Sequence, residues 1–157
     1  MLSSNARIKW CFGKNLLRKI QPSKKKADEH IQKAKHNLRA ADYNISGGFS
    51  DWAVSQAYYA MYHGLLALLY KHGLESINHE CTISAVENLI ETDKVQLDKG
   101  IIAFIRTAEQ MRTKDAKSLR EQFQYGTKTE VNKIILNELL NKSKEVVEQI
   151  EIILLNT

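Results

Sequence analysis

An uncharged stretch in the first half of the chain constrains the fold more than any other feature. From Trp52 to Tyr70, nineteen consecutive residues contain no Asp, Glu, Lys or Arg, although they include a glutamine, a histidine and four tyrosines. A helix of that length nearly spans a bilayer, which needs about 20 mostly apolar residues. The stretch is therefore either a membrane helix, the middle of a soluble core, or the wall of a binding site.

The rest of the sequence favours a soluble core. On a helix, the stretch presents a ridge of small residues beside a ridge of bulky apolar ones; these are Ala53, Ala57, Ala60, Gly64 and Ala67, and Val54, Tyr58, Met61, Leu65 and Leu68. The other helical segments are amphipathic and charged, and no second apolar span exists. We therefore expect a central helix surrounded by amphipathic helices and no membrane association. The N-terminus has no apolar core typical of export, so we also expect a cytoplasmic protein.

Hydrophobic periodicity along the chain predicts an all-α protein, an up-and-down bundle of four to five helices with a short extra helix at the N-terminus. The 157 residues, with one Pro and seven Gly, are enough for a single domain. We expect residues 1–22 to form a basic N-terminal extension and residues 23–157 to form the bundle domain. The predicted helices cover about 4–20, 24–45, 51–73, 81–91, 100–123 and 129–155.

Turn and capping signals separate these helices. Ser23 is the predicted N-cap of the second helix. Gly47 and Gly48 are predicted to provide a left-handed turn, after which Ser50 or Asp51 would cap the uncharged helix.

The cysteine content argues against a disulfide framework or a zinc site. Cys11 and Cys81 are the two cysteines of the chain, and we expect a reducing compartment. The sequence also contains no His-Glu-x-x-His motif, Asp-rich loop or Gly-rich phosphate loop. We therefore expect no metal and no cofactor.

Charge is distributed unevenly. Residues 1–50 hold eleven Lys and Arg against three Asp and Glu, a balance of +8, whereas residues 51–157 hold twelve against fifteen, a balance of −3. A basic first third is suited to a phosphate backbone or an acidic partner. The alternative is that these lysines simply solvate the outer face of a helix.

A third ridge of the uncharged helix carries polar groups, namely Gln56, Tyr59 and His63. If they are buried, each needs a hydrogen-bond partner, because an unmet polar group costs on the order of 1–3 kcal/mol. They either form a structural seam, within the bundle or between two copies, or line a cleft in which aromatic rings and imidazoles meet a base or a phosphate. Periodicity alone does not distinguish the two.

Three segments, "AYYAMYHGLLALLYKHG", "NHECTISAVENLI" and "LREQFQYG", resemble the HEPN family of prokaryotic and archaeal helical domains. The resemblance runs from about Lys24 to the end of the last helix. It implies an up-and-down bundle, often a homodimer, frequently encoded beside a minimal nucleotidyltransferase in toxin–antitoxin or defence systems. Several members are metal-independent endoribonucleases, and others bind nucleotides.

The ribonuclease motif of that family, an Arg followed after four to six residues by a His, is absent here, because no Arg has a His at that spacing. The positions that match the family are Tyr59, His63, His79, Arg120 and Tyr125, and we predict that they line one cleft. In it, Arg120 would hold phosphate and the imidazoles would change protonation near their ordinary pKa of about 6.5.

Three functions remain open at this stage. The first is a nucleotide- or RNA-binding module that works with a separate nucleotidyltransferase. The second is an atypical ribonuclease toxin in which Arg120 meets His63 or His79 in space. The third is a purely structural interaction module.

Overall fold

The computed structural model describes residues 4–113 and 133–156, except the side chains of 4, 107 and 109–113. Over this part the chain is helical with one small two-stranded sheet, which confirms the predicted all-α bundle. The elements in chain order are α1 (Ser4–Gly13), β1 (Leu17–Lys19), α2 (Lys24–Ser46), α3 (Ser50–Lys71), β2 (Leu74–Ser76), α4 (His79–Glu91), α5 (Lys99–Thr113) and α6 (Lys133–Leu155).

The uncharged stretch forms α3, the central helix of the bundle. It packs mainly against α2 and α6 and also contacts α4 and α5. Its small residues allow close approach: Ala60 packs with Ala34 of α2 and Val147 of α6, and Gly64 faces Ile150 of α6. In the described part of the chain, no helix has the length and apolar character needed to cross a membrane.

Helix α2 begins where its capping signal predicts. The Ser23 side chain accepts a hydrogen bond from the Lys26 backbone N–H at 3.1 Å. At the other end, Gly48 has a φ of +86° and makes the left-handed turn, whereas Gly47 has ordinary helical angles. The predicted cap of α3 is wrong, because α3 starts at Ser50 after an N-cap at Phe49 that makes no side-chain capping bond.

The N-terminal extension departs from the prediction of one helix to residue 20. Helix α1 ends at Gly13, and Asn15 then adopts a φ of +57°, which ends the helical path. The chain next forms β1, which pairs antiparallel with β2, a segment between the predicted helices 51–73 and 81–91. The four-residue apolar spacing continued past the helix because Leu16, which follows Ile8 and Phe12 in that spacing, also packs against the core although it lies outside α1.

The two cysteines also contradict the sequence-based expectation. Cys11 of α1 and Cys81 of α4 form a disulfide between positions 70 residues apart. Packing of α1 against α4 brings them together, a proximity that their spacing in the sequence does not reveal. Because the two cysteines are paired, they no longer indicate a reducing compartment.

Ion pairs join the same two helices to α5. Glu80 of α4 accepts from Arg7 at 3.2 Å and from Arg106 at 2.6 Å, and Glu87 lies 3.5 Å from Arg106. The N-terminal extension is thus attached to the bundle by a disulfide, an ion-pair cluster and a strand pairing.

The remaining helix boundaries lie close to the predicted ones. Helix α4 starts at His79, because the Asn78 side chain caps it by accepting from the Cys81 N–H at 2.9 Å. The predicted continuation of α5 over 114–123 and the predicted start of α6 at 129 lie outside the described residues.

Candidate functional site

Aromatic and imidazole rings meet where α3 passes the start of α4. The hydroxyl of buried Tyr58 lies 2.8 Å from His79 Nδ1. The ring of Tyr62 stacks on His79 with centroids 4.2 Å apart, and its hydroxyl lies 3.3 Å from Thr82 Oγ1. The half-buried ring of Tyr59 meets His79 edge-on at 6.0 Å. The N-cap at Asn78 fixes the start of α4 and so holds His79 against these tyrosines.

A second group of rings lies between α2 and α3. His30 and His63 approach to 2.9 Å between their Nδ1 atoms, and their rings stack at 5.2 Å. His30 also stacks on Tyr70 at 5.0 Å. The Lys26 ammonium lies 5.3 Å from the Tyr70 ring centroid, within the range of a cation–π contact.

The two groups are continuous, because the rings of Tyr62 and His63 meet edge-on at 6.1 Å. We call the whole set the ring strip; it comprises Tyr58, Tyr59, Tyr62, His79, His63, His30 and Tyr70. Tyr58 and Tyr62 are buried, and the other five are half-buried, so the strip has a buried base and a partly exposed edge.

Burial sets the protonation state of the paired imidazoles. Burial, reinforced by His30 and Lys33, lowers the pKa of His63 to about 4. The pKa of His30 is also lowered, mainly by burial, with Glu29 opposing and Lys26 adding to the effect. Both rings are therefore neutral near pH 7, and one Nδ1–H donates to the other Nδ1. The prediction that His63 titrates near 6.5 is wrong.

The far end of the strip is connected to the small sheet. The Tyr70 hydroxyl donates to Glu75 at 3.5 Å, and Glu75 also forms an ion pair with Arg18 of β1. Burial, with the added effect of Glu75, raises the pKa of Tyr70, so its hydroxyl stays protonated at neutral pH.

The residues predicted for the cleft are distributed as follows. Tyr59, His63 and His79 all belong to the ring strip, in which His79 stacks on Tyr62 and His63 meets Tyr62 edge-on. Arg120 and Tyr125 lie outside the described residues. Gln56 is engaged elsewhere, since its side-chain oxygen accepts from the Asn44 amide at 2.9 Å.

Sequence reasoning missed the contribution of α2. Lys26, His30 and Lys33 are spaced by four and three residues, which places them on one face of that helix beside its buried stripe. Periodicity could have found this face, but it could not show that the face meets His63. Within residues 4–113 and 133–156, no cluster of three or more His, Cys, Asp or Glu side chains is arranged to hold a metal ion.

Comparison with known proteins identifies the fold family. The family model for the HEPN domain matches residues 27–153, most of the chain. The chain belongs to the HEPN family. Membership suggests a nucleotide- or RNA-related function in general. No curated protein matches the sequence.

The HEPN match covers α2 to α6 and therefore contains the whole ring strip. It leaves out α1 and β1, which lie before residue 27. The disulfide and the Arg7 ion pair thus attach an N-terminal segment to a HEPN domain that begins after it.

Proposed function

We propose that this HEPN domain binds single-stranded RNA or a nucleotide along the ring strip. The observation that carries the proposal is the unbroken series of ring contacts from Tyr58 to Tyr70, with five partly exposed rings and lysines along the α2 side. Partly exposed ring faces are the groups on which unpaired bases stack.

Base stacking and phosphate contacts are proposed to come from different residues. The neutral imidazoles of His30 and His63 and the ring of Tyr70 offer stacking surface without charge. Lys26 contacts the Tyr70 ring, and Lys33 is close enough to His63 to lower its pKa. These two ammonium groups would hold the phosphates that accompany the stacked bases.

The stacking component is tested with Tyr70→Leu, which removes the ring but keeps apolar volume. Fluorescence anisotropy with a labelled single-stranded RNA should show roughly 5- to 150-fold weaker binding, the range expected for loss of one base–aromatic stack. The melting midpoint of the variant serves as the folding control. Unchanged affinity in a folded variant would show that bases do not stack at this end of the strip.

The phosphate component is tested with the double variant Lys26→Gln, Lys33→Gln. Its matched control is Lys24→Gln, Lys25→Gln, which removes the same charge from exposed positions of the same helix. The test pair should weaken binding and reduce the slope of log affinity against log salt by about 0.7 per lost phosphate contact, more than the control does. Equal effects of the two pairs would mean that the basic face of α2 acts only as a diffuse charge.

Arg120 and Tyr125 enter the proposal through the sequence resemblance alone. We expect Arg120→Ala to weaken RNA or nucleotide binding while the fold is retained, with a loss that shrinks as salt rises. A fall in the melting midpoint without any change in affinity would assign Arg120 a structural role.

We also propose that the protein is a homodimer that acts with a minimal nucleotidyltransferase in a toxin–antitoxin or defence system. Support for an interface comes from exposed aromatics at the α2–α3 turn, where Tyr43, Phe49 and Trp52 are each more than half exposed. Light scattering should report twice the chain mass of 18.0 kDa at micromolar concentration. A monomer would contradict the proposed homodimer. If a co-expressed nucleotidyltransferase does not co-purify with the protein, that result would contradict the proposed partner.

A further inference from the structure

An open groove lies between the N-terminal segment, the small sheet and α4, separate from the ring strip. Its volume is about 410 Å³. Most of its lining is apolar and comes from Ile8, Phe12, Leu17, Ile20, Leu74 and Leu89. No residue of the ring strip lines it. A volume of this size falls in the range of small-molecule sites, about 300–1,000 Å³.

The groove exists because the N-terminal segment is fixed to the bundle. Its first wall is the Ile8 and Phe12 side of α1, which the Cys11–Cys81 disulfide holds against α4. Its floor is the end of the β1–β2 pairing, where the Ile20 N–H donates to the Gly73 carbonyl at 2.9 Å. Gly73 permits this approach, since a Cβ there would lie 2.8 Å from the Ile20 carbonyl oxygen.

Positive charge lies at the rim. Lys19 of β1 and Lys94 after α4 both line the groove. Neither forms an ion pair with an acidic side chain among residues 4–113 and 133–156. Asn88 adds an amide to the lining, and no acidic side chain contributes to it. The groove therefore combines an apolar interior with a cationic edge.

We propose that this groove binds a small, freely soluble amphipathic anion, whose apolar body lies between α1 and α4 and whose carboxylate, sulfonate or phosphate group lies at Lys19 and Lys94. Apolar burial supplies most of the affinity, and the two ammonium groups select for negative charge. The matched region of the HEPN family starts after α1 and β1, so this site depends on a segment outside that match.

A pair of fluorescent probes tests the proposal in the full chain. Anilinonaphthalene sulfonate carries an apolar ring system and one anionic group, whereas phenylnaphthylamine carries the same rings without the charge. We expect saturable binding of the sulfonate and at least about tenfold weaker binding of the uncharged probe, since a hydrogen bond to a charged group contributes that much or more. Equal binding of the two probes would overturn the assignment of charge selection to the groove.

Variants locate the site. Lys19→Glu and Lys94→Glu, singly and together, should weaken sulfonate binding about tenfold or more, whereas Lys9→Glu, the same charge change at an exposed position of α1 that does not line the groove, should not. Ala85→Leu fills part of the groove from α4 and should weaken both probes. The lysine variants lie at the surface, so they keep the test decisive if Ala85→Leu does not fold. Equal loss with Lys9→Glu, or no loss with the groove lysines, would refute the site.

A membrane surface is the competing source of amphipathic anions. Decanoate below its micelle concentration should displace the bound sulfonate probe from the wild-type chain. Vesicles of anionic phospholipid should not bind the protein in a sedimentation assay. If the protein binds the vesicles, loses that binding with Lys19→Glu, and does not release the sulfonate probe to decanoate, the groove recognises a lipid surface. That outcome would refute the proposal of a soluble ligand.

Discussion

Replacing Gly64 with Leu tests the close contact between α3 and α6 on which the bundle depends. Even the first carbon of a side chain at this position would lie 2.9 Å from Ile150 Cδ1, well inside van der Waals contact. Leu adds three more carbons to a site where Ile150 is fully buried. Overpacking of this kind costs roughly 1–3 kcal/mol or more. For a chain of this length, that corresponds to a fall in melting midpoint of roughly 2–12 °C by calorimetry.

Two matched variants check the reasoning. Gly64→Ala meets only the end of a flexible side chain, and replacing a helical Gly with Ala stabilises by about 1 kcal/mol. This variant should therefore stay within about 1 kcal/mol of the wild type. Adding Ile150→Val removes the Cδ1 atom and should recover part of the loss in Gly64→Leu, although Ile150→Val alone costs about 0.5–1.5 kcal/mol. A Gly64→Leu protein that melts with the wild type would show that α6 does not pack against Gly64.

Three further predictions concern the disulfide, the His63 imidazole and the Glu80 ion pairs. Replacing Cys11 and Cys81 with Ser should lower the unfolding free energy by about 2–4 kcal/mol, because the disulfide closes a long loop. A reductant should lower the unfolding free energy of the wild type by the same amount and leave that of the variant unchanged. If neither the substitution nor the reductant changes the unfolding free energy, the result argues against the disulfide. As the pH falls, His63 is protonated at a higher pH in the unfolded state than in the folded state, so its contribution to the unfolding free energy is fully present above about pH 6.5 and is lost toward pH 4. In urea titrations at several pH values, His63→Gln should reduce the dependence of the unfolding free energy on pH over this range. An unchanged dependence would assign it to other titratable groups. Glu80→Gln should cost less than about 1 kcal/mol, because Glu80 is half exposed; a loss above about 2 kcal/mol in urea unfolding would show that the cluster with Arg106 acts as a buried network.

The helices were predictable where a periodic pattern and a capping signal agreed. Helix α2 illustrates this, since Ser23 caps it and its buried stripe of Ala27, Ile31, Ala34 and Ala41 follows from the spacing. The prediction failed before Pro22, where the apolar spacing of α1 continued through Leu16 and Ile20, which flank β1. A three-residue strand cannot be read from periodicity, because it is defined by its partner β2 across more than 50 residues.

The ring strip was predictable in part. Tyr59 and His63 lie on one ridge of a helix with no charged face, which signals that their polar groups need partners. The identity of those partners depends on tertiary packing: His63 meets His30 of α2, 33 positions earlier, and His79 meets Tyr58 and Tyr62. The disulfide was missed for the same reason, since two cysteines carry no information about the distance between their helices.

The protonation of the His30–His63 pair argues against His63 as a general acid at neutral pH. Two imidazoles whose Nδ1 atoms lie 2.9 Å apart do not both carry a positive charge, because like charges at that distance repel. His63, with a pKa of about 4, is neutral at pH 7, so it holds no excess proton to donate to a leaving group. Its Nδ1 is already bonded to His30. A ribonuclease mechanism that uses His63 as an acid at neutral pH therefore conflicts with this geometry, whereas neutral rings beside Lys26 are suited to stacking and phosphate contacts. It follows that RNA affinity should change little between pH 6.5 and 8 through this pair, and that its salt dependence belongs to the lysines.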